Sequence, residues 1–95
     1  MKKKHFYVIA YDIGDDRRRD KVVKVLEKVG TRVNFSVFEC MLTEVQYNKV
    51  YSQLEKIVVR REDKVIIYPI CTECYARIDY IPVNKVNGPI KIVVV

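Results

Sequence analysis

No stretch of this 95-residue chain approaches the ~18 to 20 consecutive apolar residues that a membrane span needs. The basic start Met1-Lys2-Lys3-Lys4 leads into an apolar run that stops at Asp12 without a small-residue cleavage site, so it does not read as a secretory leader. There is no collagen period, low-complexity run or disordered tract. Cysteine is scarce and odd in number, at three, which argues against a disulfide framework and for reduced thiols. These absences predict a soluble, cytoplasmic protein. What is present, 49% hydrophobic and 32% charged residues, is the composition of an ordinary globular chain. Its length suffices to bury a core without metal or disulfide staples, so residues 1–95 read as a single domain. Lys and Arg outnumber Asp and Glu by 18 to 12, giving a net charge of +6 and a pI near 9.3. That surplus favours polyanions through counterion release, without separating DNA from RNA or from a membrane surface.

The spacing of apolar residues divides the chain into elements. His5-Phe6-Tyr7-Val8-Ile9-Ala10-Tyr11 is a continuous apolar and aromatic run, the pattern of a strand buried on both faces. From Asp15 or Asp16 as N-cap to Gly30 as C-cap, Val22, Leu26 and Val29 recur at i, i+4 and i+7 and predict an amphipathic helix. Val33, Phe35 and Val37 alternate with Asn34 and Ser36, predicting a second strand, buried on one face, that runs to about Cys40. Thr43-Glu44-Val45-Gln46 fits a capping box, and Tyr47, Val50, Tyr51, Leu54, Ile57 and Val58 then keep helical spacing. Val65-Ile66-Ile67-Tyr68-Pro69-Ile70 repeats the doubly apolar pattern, so strands one and three are expected at the centre of the sheet. Arg77-Ile78-Asp79-Tyr80-Ile81 predicts a shorter fourth strand. The expected order of strand, helix, strand, strand, helix, strand is the α+β ferredoxin-like βαββαβ fold. Ile90-Lys91-Ile92-Val93-Val94-Val95 is an extra C-terminal strand, expected to pair with its own sheet or, preferably, to be exchanged in a homodimer, because a free apolar edge invites aggregation.

Asp12 lies where the first strand gives way to a turn and is expected to be half buried. Its carboxylate either accepts hydrogen bonds from the turn at residues 13–15 or ligates a hard cation, two copies of Asp12 meeting across a dimer axis. A cation between them would activate water near a phosphodiester. Asp15 and Asp16 read as helix caps. Arg17-Arg18-Arg19 oppose the helix dipole at a cost of roughly 0.3–1 kcal/mol each, a sign that a bound phosphate would reverse; the alternative is a solvated charged turn. Arg32 and the pair Ser36 and Phe38, read as lying on an exposed strand face, extend this surface, with Phe38 available to stack on a base or meet a partner chain. Tyr7 and Tyr11 read as core or dimer-interface residues. An RNA-recognition module ranks lower, since Val65–Pro69 lacks its Gly-aromatic signature. Cys71-Thr72-Glu73-Cys74 has only Cys40 and His5 as further soft ligands and reads as free thiols rather than a zinc site.

Three stretches, Tyr11-Asp12-Ile13-Gly14-Asp15-Asp16-Arg17-Arg18-Arg19, Arg32-Val33-Asn34-Phe35-Ser36-Val37-Phe38-Glu39-Cys40 and Ile67-Tyr68-Pro69-Ile70-Cys71, resemble the CRISPR-associated protein Cas-two family. The resemblance runs in order over nearly the whole chain. It implies a ferredoxin-like homodimer with exchanged C-terminal strands, in which Asp12 of both copies flanks one Mg²⁺ or Mn²⁺. The family's positions for activity fall on Tyr11, Asp12, Arg19, Arg32, Ser36 and Phe38, and Lys21 stands near a further basic position. Tyr11, Asp12 and Ser36 are thereby expected in the chemistry, and Arg17, Arg18, Arg19, Arg32 and Phe38 on the nucleic acid. The implied activity is metal-dependent endonuclease cleavage of single-stranded RNA or duplex DNA. The implied setting is CRISPR spacer acquisition beside an integrase, where the alternative role is a non-catalytic DNA-binding scaffold.

Overall fold

The computed structural model describes residues 3–83. β1 (Lys4–Asp12) leads into α1 (Asp16–Glu27), which starts where the Asp15 carboxylate accepts the Arg18 backbone N–H at 2.9 Å. Asp16 adds negative charge to the first turn, where the helix dipole favours it. The helix ends with Lys28 as its C-cap, and Gly30 instead opens β2 (Gly30–Asn34). A Cβ at Gly30 would stand 2.4 Å from the Cys40 Sγ and 2.6 Å from the Glu39 carbonyl oxygen, so only glycine lets the strands approach there.

The single strand expected from Val33 to Cys40 is a hairpin. β2 reverses at Phe35 and Ser36 into β3 (Val37–Thr43), with a register irregularity between Arg32 and Asn34. The reversal restarts the in-and-out alternation, which puts Phe38, Cys40 and Leu42 into the core and leaves Phe35 outside. α2 (Glu44–Ile57) begins with the anticipated capping box: Gln46 N–H donates to Thr43 Oγ1 at 3.2 Å, and Thr43 N–H donates to Gln46 Oε1 at 2.9 Å. β4 (Lys64–Ile70) follows. Residues 77–81 form no strand; the chain instead makes a short helix, α3 (Thr72–Ala76), and Ile78 and Tyr80 pack as irregular structure.

The four strands form one antiparallel sheet in the order β2-β3-β1-β4, with α1 joining β1 to β2 and α2 joining β3 to β4. This is the ferredoxin-like arrangement. β1 is central as expected, but its central neighbour is β3, and among the described residues the doubly apolar β4 lies at the edge. The two long helices cover one face, where Ile9, Val22, Leu26 and Phe38 are fully buried, each side chain contributing ~1.5–3 kcal/mol relative to exposure. Strand alternation turns Phe6, Val8, Ala10 and Asp12 to the other face. Among the described residues α3 covers one end of it, through a Tyr75 ring 4.8 Å from that of Phe6, together with Ile78 and Tyr80. Further along, Ile66 and Tyr68 are 40% and 49% exposed. The extra C-terminal strand falls outside the described residues. No helix among the described residues is long and apolar enough to cross a membrane.

Candidate functional site

Asp12 closes β1 on the face that the helices leave open. It is exposed rather than half buried, and among the described residues its carboxylate has neither a turn hydrogen bond nor an ion pair. Its register partner on β4 is Lys64, also exposed, and directly opposed residues of antiparallel strands share a face. Sequence reasoning missed Lys64, because strand register is not legible from an apolar run.

The three consecutive arginines separate into different roles. Arg17 is exposed and has no hydrogen bond or ion pair among the described residues. Arg18 reaches across to the turn before β4, where its Nε and Nη2 grip Asp63 at 2.7 and 3.2 Å and Nη2 also meets Glu62 at 3.0 Å. The Asp63 side chain is fully covered and also accepts the Val59 N–H at 2.8 Å. Hydrogen bonding from Arg18 holds the Asp63 carboxyl below its ordinary range, against the opposing effect of burial, and Asp63 in turn raises Arg18. Arg19 donates to the Ile13 carbonyl at 2.9 Å and pairs with Asp16. Contrary to the expectation of three phosphate ligands, Arg18 and Arg19 are committed to carboxylates and backbone. They hold the segments that directly precede Lys64 and follow Asp12.

A second cluster surrounds the β2–β3 turn. Tyr11 is buried on the helix side, opposite Asp12, and its hydroxyl donates to the Phe35 carbonyl at 2.8 Å. Arg32 donates to the same oxygen from Nε at 3.1 Å and Nη2 at 2.6 Å, with its guanidinium 5.9 Å from the Phe38 ring centre. The Asn34 side-chain oxygen accepts the Phe35 N–H at 2.7 Å. Ser36 is half-buried, and its carbonyl accepts the Tyr11 N–H at 3.0 Å, which ties the turn to the end of β1. Phe38 is 0% exposed and cannot stack on a base, whereas Phe35, on this clasped turn, is 86% exposed. Tyr11 and Asp12 therefore do not converge on one point; Tyr11 shapes the turn that presents Phe35.

Among the described residues no three His, Cys, Asp or Glu side chains gather as a metal site, so Asp12 belongs to no such cluster within one chain. A hard cation needs more ligands than one carboxylate, and the residues fit it only if a second copy contributes. Cys40 is buried, and burial pushes its thiol up to about 11; Cys71 and Cys74 are exposed and free. On the open face, Tyr80 donates to both carboxylate oxygens of Glu39, each at 2.9 Å. Burial first, and the Glu39 carboxylate second, drive the Tyr80 hydroxyl far above its ordinary range.

Comparison with known proteins places this geometry in a family. A family model described as CRISPR associated protein Cas2 matches residues 5–78. A Synechocystis sp. protein named CRISPR-associated endoribonuclease Cas2 3 is 45% identical over 73 residues, which span 77% of this chain and 79% of that one. The crystal structure of hypothetical protein TT1823 from Thermus thermophilus has a TM-score of 0.69 at 38% identity, covering 72% of this chain and 83% of that one. A chain of a partial Cas6-RT-Cas1–Cas2 complex shares the fold with a TM-score of 0.70 at 24% identity, covering 86% and 96% of the two chains. On the family match and the Synechocystis relative together, the chain belongs to the CRISPR-associated protein Cas2 family.

Proposed function

We propose that this chain is an endonuclease of CRISPR spacer acquisition that hydrolyses phosphodiester bonds of single-stranded RNA or duplex DNA as a homodimer. The observation that carries the reading is the placement of Asp12: exposed, unpaired among the described residues and set on the open sheet face. The exposed Ile66 and Tyr68 on that face offer apolar surface for a second copy, which would bring two Asp12 carboxylates together. Facing carboxylates repel unless a proton or a cation lies between them, and Mg²⁺ or Mn²⁺ bound there would supply an activated water. Lys64, opposite Asp12 in register, and Arg17, whose side chain has no partner among the described residues, offer cations to the phosphate oxygens. Phe35 takes the stacking role that the sequence assigned to Phe38, with Arg32 holding its backbone in place. The name of the Synechocystis relative, an endoribonuclease, supports the reaction class.

A second reading is favoured because, among the described residues, one chain gathers no three metal-ligating side chains at Asp12 or elsewhere. In it, the basic surface holds DNA backbone as a scaffold beside a Cas1-type integrase; the similar chain of the Cas6-RT-Cas1–Cas2 complex is itself assembled with Cas1, which supports this reading. Asp12→Asn separates the two. Cleavage of labelled single-stranded RNA and duplex DNA is followed with Mg²⁺, with and without a chelator. The enzyme reading expects chelator-sensitive cleavage by the wild type and its loss in D12N at unchanged binding. Cleavage that survives in D12N, or that ignores the chelator, rejects it.

A further inference from the structure

The motif Cys71-Thr72-Glu73-Cys74 has no part in the phosphodiester chemistry, yet its two thiols are built as a pair. Cys71 is the N-cap of α3, and its Sγ accepts the Cys74 backbone N–H at 3.5 Å. Both residues are exposed, whereas Cys40 is 1% exposed and separate. A metal reading fails on ligand count: structural zinc takes four ligands, and among the described residues no third His, Cys, Asp or Glu joins the pair. Two exposed cysteines one turn apart, tied by the Cys74 N–H to the Cys71 sulfur, are instead suited to oxidation to a common disulfide.

We propose that Cys71 and Cys74 form a redox-active dithiol that exchanges with low-molecular-weight disulfides and closes into an intramolecular Cys71–Cys74 bond. The environment divides the roles. The Cys74 backbone N–H, donated to the Cys71 Sγ, lowers the Cys71 thiol from its ordinary value and favours its thiolate, whereas the neighbouring Cys71 raises Cys74. Cys71 is the attacking sulfur. Its thiolate breaks the S–S bond of the small disulfide, forming a mixed disulfide and releasing one small thiolate. Cys74 then loses its proton to solvent and attacks the Cys71 sulfur, expelling the second small thiolate. Two protein thiols are oxidised and one small disulfide is reduced to two thiols. The closed bond lies directly before Tyr75, the residue by which α3 is seated on Phe6.

The test treats the reduced, purified full-length chain with oxidised glutathione, quenches it with acid, and reads intact mass and peptide maps. The expected wild-type product has lost two hydrogens, carries a Cys71–Cys74 linked peptide and keeps Cys40 free. Serine preserves the cap at either position, so C71S and C74S remain folded comparators. C74S should stop at a glutathione adduct on Cys71, and C71S should react more slowly and form no cross-link. A wild-type chain that carries stable adducts on both cysteines, or does not react, overturns the dithiol. Adduct formation on C71S as fast as on C74S overturns the assignment of Cys71 as the attacking sulfur.

Discussion

Replacing Phe35 and Phe38 by alanine, one at a time, separates binding from folding, because these two rings on one hairpin have opposite surroundings. Phe35 is 86% exposed and Phe38 is 0% exposed. Removing the Phe35 ring uncovers almost no core, so F35A should keep its stability to within about 0.5 kcal/mol. Stacking of a base on an aromatic ring is worth ~1–3 kcal/mol, so the Kd of F35A for an unpaired strand should rise roughly 5- to 150-fold. A fully paired duplex, with no base to offer, should bind F35A and wild type alike. F38A instead leaves a cavity between the sheet and the helices, at a cost of ~3–5 kcal/mol. At about 4–8 °C per kcal/mol for a domain of this length, its Tm should fall by roughly 12–40 °C. The assay is anisotropy of labelled single-stranded and duplex oligonucleotides, with melting followed by circular dichroism in the same buffer. An F35A variant that binds single strands as wild type does would refute the stacking role. An F38A variant that melts like wild type while losing binding would return that role to Phe38 and refute the hairpin.

Other consequences follow from the clasp and from the close strand approach. Arg18→Ala should lower the Tm and flatten the acid limb of stability. Asp63 lies below the ordinary aspartate value of 3.8, so its contribution is fully present above that pH and lost as pH falls through its lower folded value; denaturant midpoints against pH should therefore drop more steeply for wild type than for R18A. Gly30→Ala forces a Cβ to within 2.4 Å of the Cys40 Sγ and should cost ~1–3 kcal/mol, read by denaturant unfolding. A doubly substituted G30A/C40A chain should recover part of that loss, although the Glu39 carbonyl at 2.6 Å remains in the way.

The sequence was most legible where structure is set locally. The Asp15 cap, the Thr43–Gln46 box and the spacing of Val22, Leu26, Val50 and Leu54 all read through. The hairpin did not, because Val33, Phe35 and Val37 keep a strand's alternation straight through the reversal, and no glycine or proline marks the turn. Asn34 was the available signal: Asn is favoured in turns, and its side chain accepts the Phe35 N–H at the start of the reversal. Residues 77–81 misled for a related reason. Ile78 and Tyr80 do turn to one apolar cluster, with Phe6 and Tyr75, but they reach it without strand pairing. β4 shows the limit of the doubly apolar rule. Its pattern announced burial on both faces, yet among the described residues it pairs on one side only and leaves Ile66 and Tyr68 partly exposed. That mismatch is the one a second copy on the open face would remove.

The arginine run shows why a motif's charge does not by itself state its role. Successive residues on a helix point about 100° apart, so three neighbours cannot all face one ligand. Here one rotation sends Arg18 across to Asp63 and the next turns Arg19 back onto the Ile13 carbonyl, leaving Arg17 to solvent. Asp63 immediately precedes Lys64, and Ile13 immediately follows Asp12, while Asp12 and Lys64 face each other in register. Two of the three cations thus anchor the two chain segments that carry Asp12 and Lys64, with donors of both guanidinium groups engaged by protein acceptors. The dipole cost of cations in a first helical turn is offset by the carboxylates and carbonyls they hold, and needs no bound anion to explain it. In the proposed nuclease, phosphate binding rests instead on Arg17 and Lys64, which have no hydrogen bond or ion pair among the described residues.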